Sequence, residues 1–330
     1  MLTHHARRAR STFVRKLRQN WNWSKAHRWA HLVEEHDIHP LVRGQRALRK
    51  AWWRWTRRDR QAPAAPVFLF GVQRSGTNML AHGLDEIPEF QLYNEGNTKA
   101  FHNFELCPLR TVESLIGQSQ AKFVLFKPLC DSHRAPELLD RFGPKARAIW
   151  EYREVDGRVR SAVAKFGQSN LRVLRAYAAG EAQYAWQVQR LSPENADFIK
   201  SFDFSRLSAE SGAALFWYIR NSLYFEMSLD QRNDTILISY DLLLAEPEQV
   251  ARALCSFLGL GYRKELIKHI DPRRRARREP LAIDGRIRER CAALQERLDG
   301  VGIAQLSSLV EERSIARAVS RSPTPLVAHR

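Results

Sequence analysis

The chain has 330 residues, 44% of them hydrophobic and 27% charged, and a formal net charge of +17. Such a length can bury a full core, and the balance is ordinary for a globular chain, which excludes wholesale disorder. The longest apolar runs, such as AALFWYI, fall far short of the ~18–20 residues that a bilayer-spanning helix needs.

The charge is uneven. Residues 1–60 hold 16 Lys and Arg against 4 Asp and Glu, or +12 of the total. Six of the nine tryptophans share that stretch: Trp21, Trp23, Trp29, Trp52, Trp53 and Trp55. Residues 1–62 therefore read as a basic, Trp-rich helical arm with two uses. It can pack its tryptophans on the main domain with arginines facing water, or contact an anionic membrane surface or acidic acceptor. No recognisable nucleic-acid module accompanies the charge, so no specific nucleic acid is expected. No apolar segment follows the basic start, so a secretory signal is not expected. Cys107, Cys130, Cys255 and Cys291 are far apart and form no CxxC pair, which reads as reduced, buried thiols. These features point to the cytoplasm, with peripheral contact at a membrane surface left open.

The Ala/Pro stretch RDRQAPAAP (Arg58–Pro66) reads as a linker. Beyond it the chain alternates strand and helix patterns. PVFLFGV, FQLY, KFVLFKP, ARAIWEYRE and DTILISY are the five strand candidates. PEQVARALCSFLGLG has helical spacing, with Pro247 at its start and Gly259 or Gly261 at its end. The alternation predicts an α/β domain over 63–300, with a central, mostly parallel sheet and helices on both faces. Within it, 162–233 lacks strand signals and reads as a helical insert shaping an acceptor pocket. A C-terminal helix and a loose tail are expected over 301–330.

In FLFGVQRSGTNML (Phe68–Leu80) a buried strand runs through a turn containing Gly71 and Gly76 into an apolar helix. This is the layout of a P-loop, GxxxxGK[ST], with Thr77 in place of Lys and Asn78 in place of the Mg²⁺-binding hydroxyl residue. Backbone N–H groups and the helix start would face an anion, beside the charge of Arg74 and the donors Ser75, Thr77 and Asn78. The missing Lys and metal ligand argue against ordinary ATP or GTP hydrolysis. A second segment, IWEYREVDGRVRSAV, follows a later strand, with Arg153 at the strand end and Ser161 eight residues on, where a helix begins. A cation and a hydroxyl so placed could grip a second phosphate.

With both segments present, the sequence resembles the sulfotransferases that use 3′-phosphoadenosine 5′-phosphosulfate (PAPS). The loop RSGTNML resembles the family's first signature. The Arg153-to-Ser161 spacing matches the second, and ILISYDLLLAEPEQVARALCSFLGL is similar to a segment near the end of these domains. The resemblance runs from about Pro66 to Leu298. It implies a P-loop-like fold, with Arg74, Ser75, Gly76, Thr77 and Asn78 on the 5′-phosphosulfate and Arg153 and Ser161 on the 3′-phosphate. PAP would be the product, and no metal is required, because phosphate is already a good leaving group. The departures are Asn78 for the usual hydroxyl residue and Glu154-Val155 for the usual Asp-Pro, which removes the ring that fixes the turn after Arg153.

The resemblance also implies a base for the acceptor proton. Glu95, in FQLYNEGNTKAF just past the second strand, stands where a carboxylate acts in several branches of the family. Lys127, at the end of the third strand, resembles a Lys placed against the sulfuryl group. His133 and His102 are alternatives to Glu95, since the small-molecule branch uses a His base. That branch's Gly-rich basic loop for the 3′-phosphate is missing, and the run Arg273–Arg278 is either its substitute or a solvated face. A carboxylate base suits a carbohydrate, a lipid or another alcohol as acceptor, and an amine is also chemically competent. Two other classes compete: a nucleotide-dependent kinase or NTPase with a degenerate P-loop, and a non-catalytic anion or nucleic-acid binder using the basic arm.

Overall fold

The computed structural model describes residues 40–56, 62–181, 185–271 and 279–321. Most of the basic arm with Trp21, Trp23 and Trp29, the start of the linker, the Arg273–Arg278 run and the end of the tail lie outside the described residues. The chain divides into two compact units, Met1–Trp52 and Trp53–Arg330. The described part of the arm is one helix, α1 (Pro40–Thr56). Its Leu48, Trp52 and Trp55 are exposed at helical spacing.

The second unit is built on five strands, β1 (Ala65–Gly71), β2 (Phe90–Tyr93), β5 (Phe123–Phe126), β6 (Arg147–Tyr152) and β7 (Thr235–Ser239). All are parallel, in the order β2-β5-β1-β6-β7. Each predicted strand is present, and FQLY is β2 without change. The fold class is α/β, and the alternation of side chains shows why both faces must be covered. In β1, Phe68 and Phe70 join one core with Val124, Phe126 and Trp150. Val67 and Leu69 join the other with Leu125, Ile149, Ile236 and Ile238.

The first core is closed by α5 (Val155–Phe166), α6 (Ser169–Ala178), α8 (Ala209–Glu226) and the first half of α11 (Gly285–Arg321). The second is closed by α2 (Thr77–Glu86), α9 (Tyr240–Ala245) and α10 (Pro247–Phe257). Helix α10 has Pro247 at its start, and Gly259 follows its end with φ 62°, the left-handed conformation that glycine adopts without a Cβ penalty. Helix α8 lies within the 162–233 stretch and is buried almost all round, as a helix apolar on every face must be. Helix α11 passes through residue 300 unbroken.

The remaining described elements are smaller: a hairpin of β3 (Phe101–His102) and β4 (Glu105–Leu106), then α3 (Leu109–Gly117), α4 (Ala135–Phe142) and α7 (Pro193–Lys200). A 3₁₀ turn, Leu129–Arg134, follows β5. Among the described helices none is long and apolar enough to cross a membrane.

Candidate functional site

Because every strand of the sheet is parallel, the residues that follow the strands all emerge at one rim. The chain order reverses direction at β1, with β5 on one side and β6 on the other, which is where open α/β sheets leave a crevice for ligands. Arg74 follows β1, Glu95 follows β2, Lys127 follows β5, Arg153 follows β6 and Tyr240 follows β7.

Backbone geometry holds the turn after β1. Gly71 has φ 135°, and a Cβ there would sit 2.2 Å from the Glu151 backbone oxygen. Arg74 and Gly76 have φ 73° and 103°. A Cβ on Gly76 would sit 2.1 Å from the Tyr240 ring, so the loop lies flat against that ring only because Gly76 has no side chain. No side chain caps α2, which leaves its first N–H groups to be met by an anion. Ser75 is fully buried, and its Oγ has no hydrogen-bond partner. From beneath, Ser132 Oγ accepts from the Gly71 N–H and donates to the Gly71 carbonyl, both at 3.2 Å.

The turn after β6 is held by side chains instead. Glu154, standing where the usual motif has Asp, caps α5 by accepting from the Asp156 and Gly157 N–H groups at 2.9 and 2.5 Å. Burial first, and Asp241 second, raise the Glu154 pKa. Asp241 accepts from the Glu154 N–H at 2.8 Å, and Trp217 Nε1 donates to the Arg153 carbonyl at 2.8 Å. These contacts fix the turn that the missing proline leaves open. The Arg153 guanidinium lies 4.7 Å from the centre of the Tyr240 ring, a cation–π distance, and its Nε is buried without a hydrogen-bond partner. Tyr240 therefore touches both turns. Helix α5 starts at Val155, so Ser161 stands in its second turn and not at its beginning as the sequence suggested. The reason is the Glu154 cap.

Two side chains tie these turns together. Arg74 Nε donates to Ser161 Oγ at 3.0 Å. Arg158 is fully buried; its Nε donates to the Gln73 carbonyl at 3.2 Å and its Nη1 to the Ala213 carbonyl at 2.8 Å. Burial, and then Arg74, lower the Arg158 pKa to about 9, so it remains cationic at neutral pH. The loop thus carries positive charge from Arg74 above and Arg158 behind.

The third group joins β2 and β5. Lys127 Nζ stands 3.1 Å from Glu95 Oε2 and donates to Asn78 Oδ1 at 2.6 Å. The Asn78 carbonyl is thereby used, and its amide remains a donor. Below lies Glu151, fully buried with both carboxylate oxygens lacking a hydrogen-bond partner. Burial pushes its pKa well up, and Lys127 opposes that shift only in part.

The structure brings Arg74, Ser75, Gly76, Thr77, Asn78, Lys127, Glu95, Arg153 and Ser161 to one rim. His102 is exposed on the β3–β4 hairpin. His133, in the 3₁₀ turn, has its pKa lowered to about 4 by burial, Arg220 and Arg134. Sequence reasoning missed Arg158, Trp217, Tyr240 and Asp241. All four lay within quoted stretches, but Arg158 reads there as a solvent-facing helical charge, Trp217 as core, and Tyr240-Asp241 only as part of a longer resemblance.

No protein-family model and no curated protein matches the chain. Among solved structures it is similar to a sulfotransferase from Alicyclobacillus acidocaldarius, with 16% identity and TM-score 0.40, covering 76% of this chain and 96% of that one. It is also similar to the sulfotransferase domain of the Synechococcus PCC 7002 olefin synthase, with 11% identity and TM-score 0.37, covering 72% and 98%. A mouse sulfotransferase, SULT7A1, complexed with PAP gives 13% identity and TM-score 0.34, covering 63% of each chain. At these values the functional reading rests on the geometry of the rim.

Proposed function

We propose that the chain is a PAPS-dependent sulfotransferase, moving a sulfuryl group to a hydroxyl or amine of an acceptor. The observation that supports it most is the Arg74–Ser161 hydrogen bond. It holds two anion-binding turns one side chain apart, each with an unpartnered buried polar atom, Ser75 Oγ and Arg153 Nε. A donor with a phosphosulfate at one end of its ribose and a separate phosphate at the other fits two such turns. A simple nucleoside monophosphate would use one.

When bound, PAPS supplies the sulfuryl group and PAP leaves. The chain's own residues do the rest. The loop N–H groups, Ser75, Thr77 and the Asn78 amide orient the 5′ end, while Arg153 and Ser161 hold the 3′-phosphate. Glu95 accepts the proton of the attacking hydroxyl as the new S–O bond forms and the bridging bond breaks. Lys127, beside both Glu95 and Asn78, and Arg74 neutralise the charge that gathers on the departing oxygen. Wild-type protein should transfer label from ³⁵S-PAPS to an acceptor in a host extract. Glu95→Gln should lose that transfer while still binding PAP; equal transfer by both proteins would remove Glu95 from the role.

A further inference from the structure

A second unsatisfied cluster lies beside this site and has no use in the donor chemistry. Arg220, in the middle of α8, is 1% exposed. Its Nη1 donates to the Trp186 carbonyl at 3.1 Å, and its guanidinium lies 5.4 Å from the centre of the Trp186 ring. Its Nη2 is buried with no hydrogen-bond partner. Burial lowers its pKa only to about 10, so it is a cation at neutral pH.

No carboxylate forms an ion pair with it among the described residues. Asp131 is the carboxylate that acts on it electrostatically. That carboxylate is already engaged, by the Leu106 N–H at 2.8 Å and by Arg134 at 3.0 Å. Cys130 is kept a thiol by burial and by Glu95. His133 feels Arg220, Arg134 and Arg190, and its imidazole interacts with the Cys130 backbone. The unpaired Nη2 donors of a buried guanidinium are costly unless something meets them.

Position says what fills them. Cys130 feels Glu95 and Arg220 together, and Gln73, next to Arg74 in the loop, reaches to 3.8 Å from Cys130 Sγ. The Leu129–Arg134 turn also packs on the Trp186–Val188 turn that Arg220 holds, so the cluster adjoins the loop within electrostatic reach of the candidate base, near enough for a charged group on an acceptor to meet it. Phe216, edge-on to Trp186 at 6.0 Å, adds an apolar wall.

We propose that Arg220 and His133 form an acceptor subsite for an anion, so that the substrate is an alcohol or phenol bearing its own carboxylate, sulfate or phosphate group. This rests on the sulfotransferase reading of the rim. The guanidinium presents paired donors to the acidic group, the imidazole adds one more, and the hydroxyl is directed back toward Glu95.

The test is calorimetric titration of the full chain with 4-hydroxyphenylacetate and its uncharged analogue 4-hydroxyphenylacetamide, with and without saturating PAP. Glycerol 3-phosphate against glycerol, with PAP filling the loop, forms a second arm. The wild type should prefer the acid by about 10- to 100-fold, the worth of a charge-assisted hydrogen-bonded pair. Arg220→Met should erase that preference while leaving PAP affinity and the melting temperature near the wild-type values. Arg220→Lys should keep part of it, and His133→Ala should reduce it if Arg220→Met fails to fold. A wild type with no preference for either acidic probe, or variants that retain the full preference, would overturn the subsite. Failure to bind PAP counts against the sulfotransferase reading alone, because the carboxylate arm is also read in PAP-free protein.

Discussion

The two halves of the rim are held in different ways. In the half proposed for the donor, residues 71–78 depend on backbone, with two positive-φ glycines, a positive-φ arginine and an uncapped helix. Residues 153–161 are pinned to them by the Glu154 cap and the Arg74 and Arg158 side chains. The half proposed for the acceptor, formed by Glu95, by Lys127 with the Leu129–Arg134 turn that follows it, and by Arg220, depends on side chains from three separate segments. The first half resists change because its shape is part of the sheet. The second can be altered residue by residue while the fold stands, which under the proposed function would let one donor site serve different acceptors.

That contrast can be broken at its strongest point first. Gly71→Val forces a Cβ against the Glu151 carbonyl at a φ of 135°, and should cost about 4 kcal/mol or more from strain and overpacking together. Thermal unfolding should show little or no folded protein. Glu95→Gln, on the acceptor half, should fold normally and lower turnover by about 10²–10⁴-fold with PAP affinity unchanged. Arg153→Ala should weaken PAP by about 10- to 100-fold and adenosine 5′-phosphate far less. Equal loss for both in parallel titrations would separate Arg153 from the 3′-phosphate.

The smallest effect is in pH. Burial raises the folded pKa of Glu151 well above the ordinary carboxyl value of 4.5, so the folded state holds that proton more tightly than the unfolded one. Stability must fall as pH rises from about 4.5 toward the folded value. Glu151→Gln should flatten the fall in melting temperature on the alkaline side, and an unchanged slope would show that the carboxyl is not the source. His133 acts in the opposite direction. Its folded pKa of about 4 lies below the ordinary imidazole value of 6.5, so its share of stability is lost as pH drops through that window. His133→Gln should soften the acid side of the profile.

How much of this was legible follows the same division. The five strands could be read because each is a short apolar run bounded by Pro, Gly or charge. The donor turns could be read because Gly71–Asn78 and Arg153–Ser161 are contiguous. The β3–β4 hairpin could not. Its turn residues, Asn103 and Phe104, both have positive φ, the geometry of a primed turn, but carry none of the glycine that usually announces one. Arg158 and Arg220 were hidden for a different reason: a charged residue in a helical pattern reads as a solvent face, and only packing reveals that both are buried. Lys127 was visible, but its reach to Asn78 was not, since that contact joins β5 to the start of α2.

That reach also sharpens the competition between readings, because it brings a lysine to a loop whose motif lacks one. The most direct test of the central claim is calorimetry of the wild type with PAP and, separately, with ATP and Mg²⁺. PAP should bind with adenosine 5′-phosphate much weaker and ATP–Mg²⁺ weaker still. Binding of ATP–Mg²⁺ without binding of PAP would contradict the account and return the loop to the nucleotide-hydrolysing class.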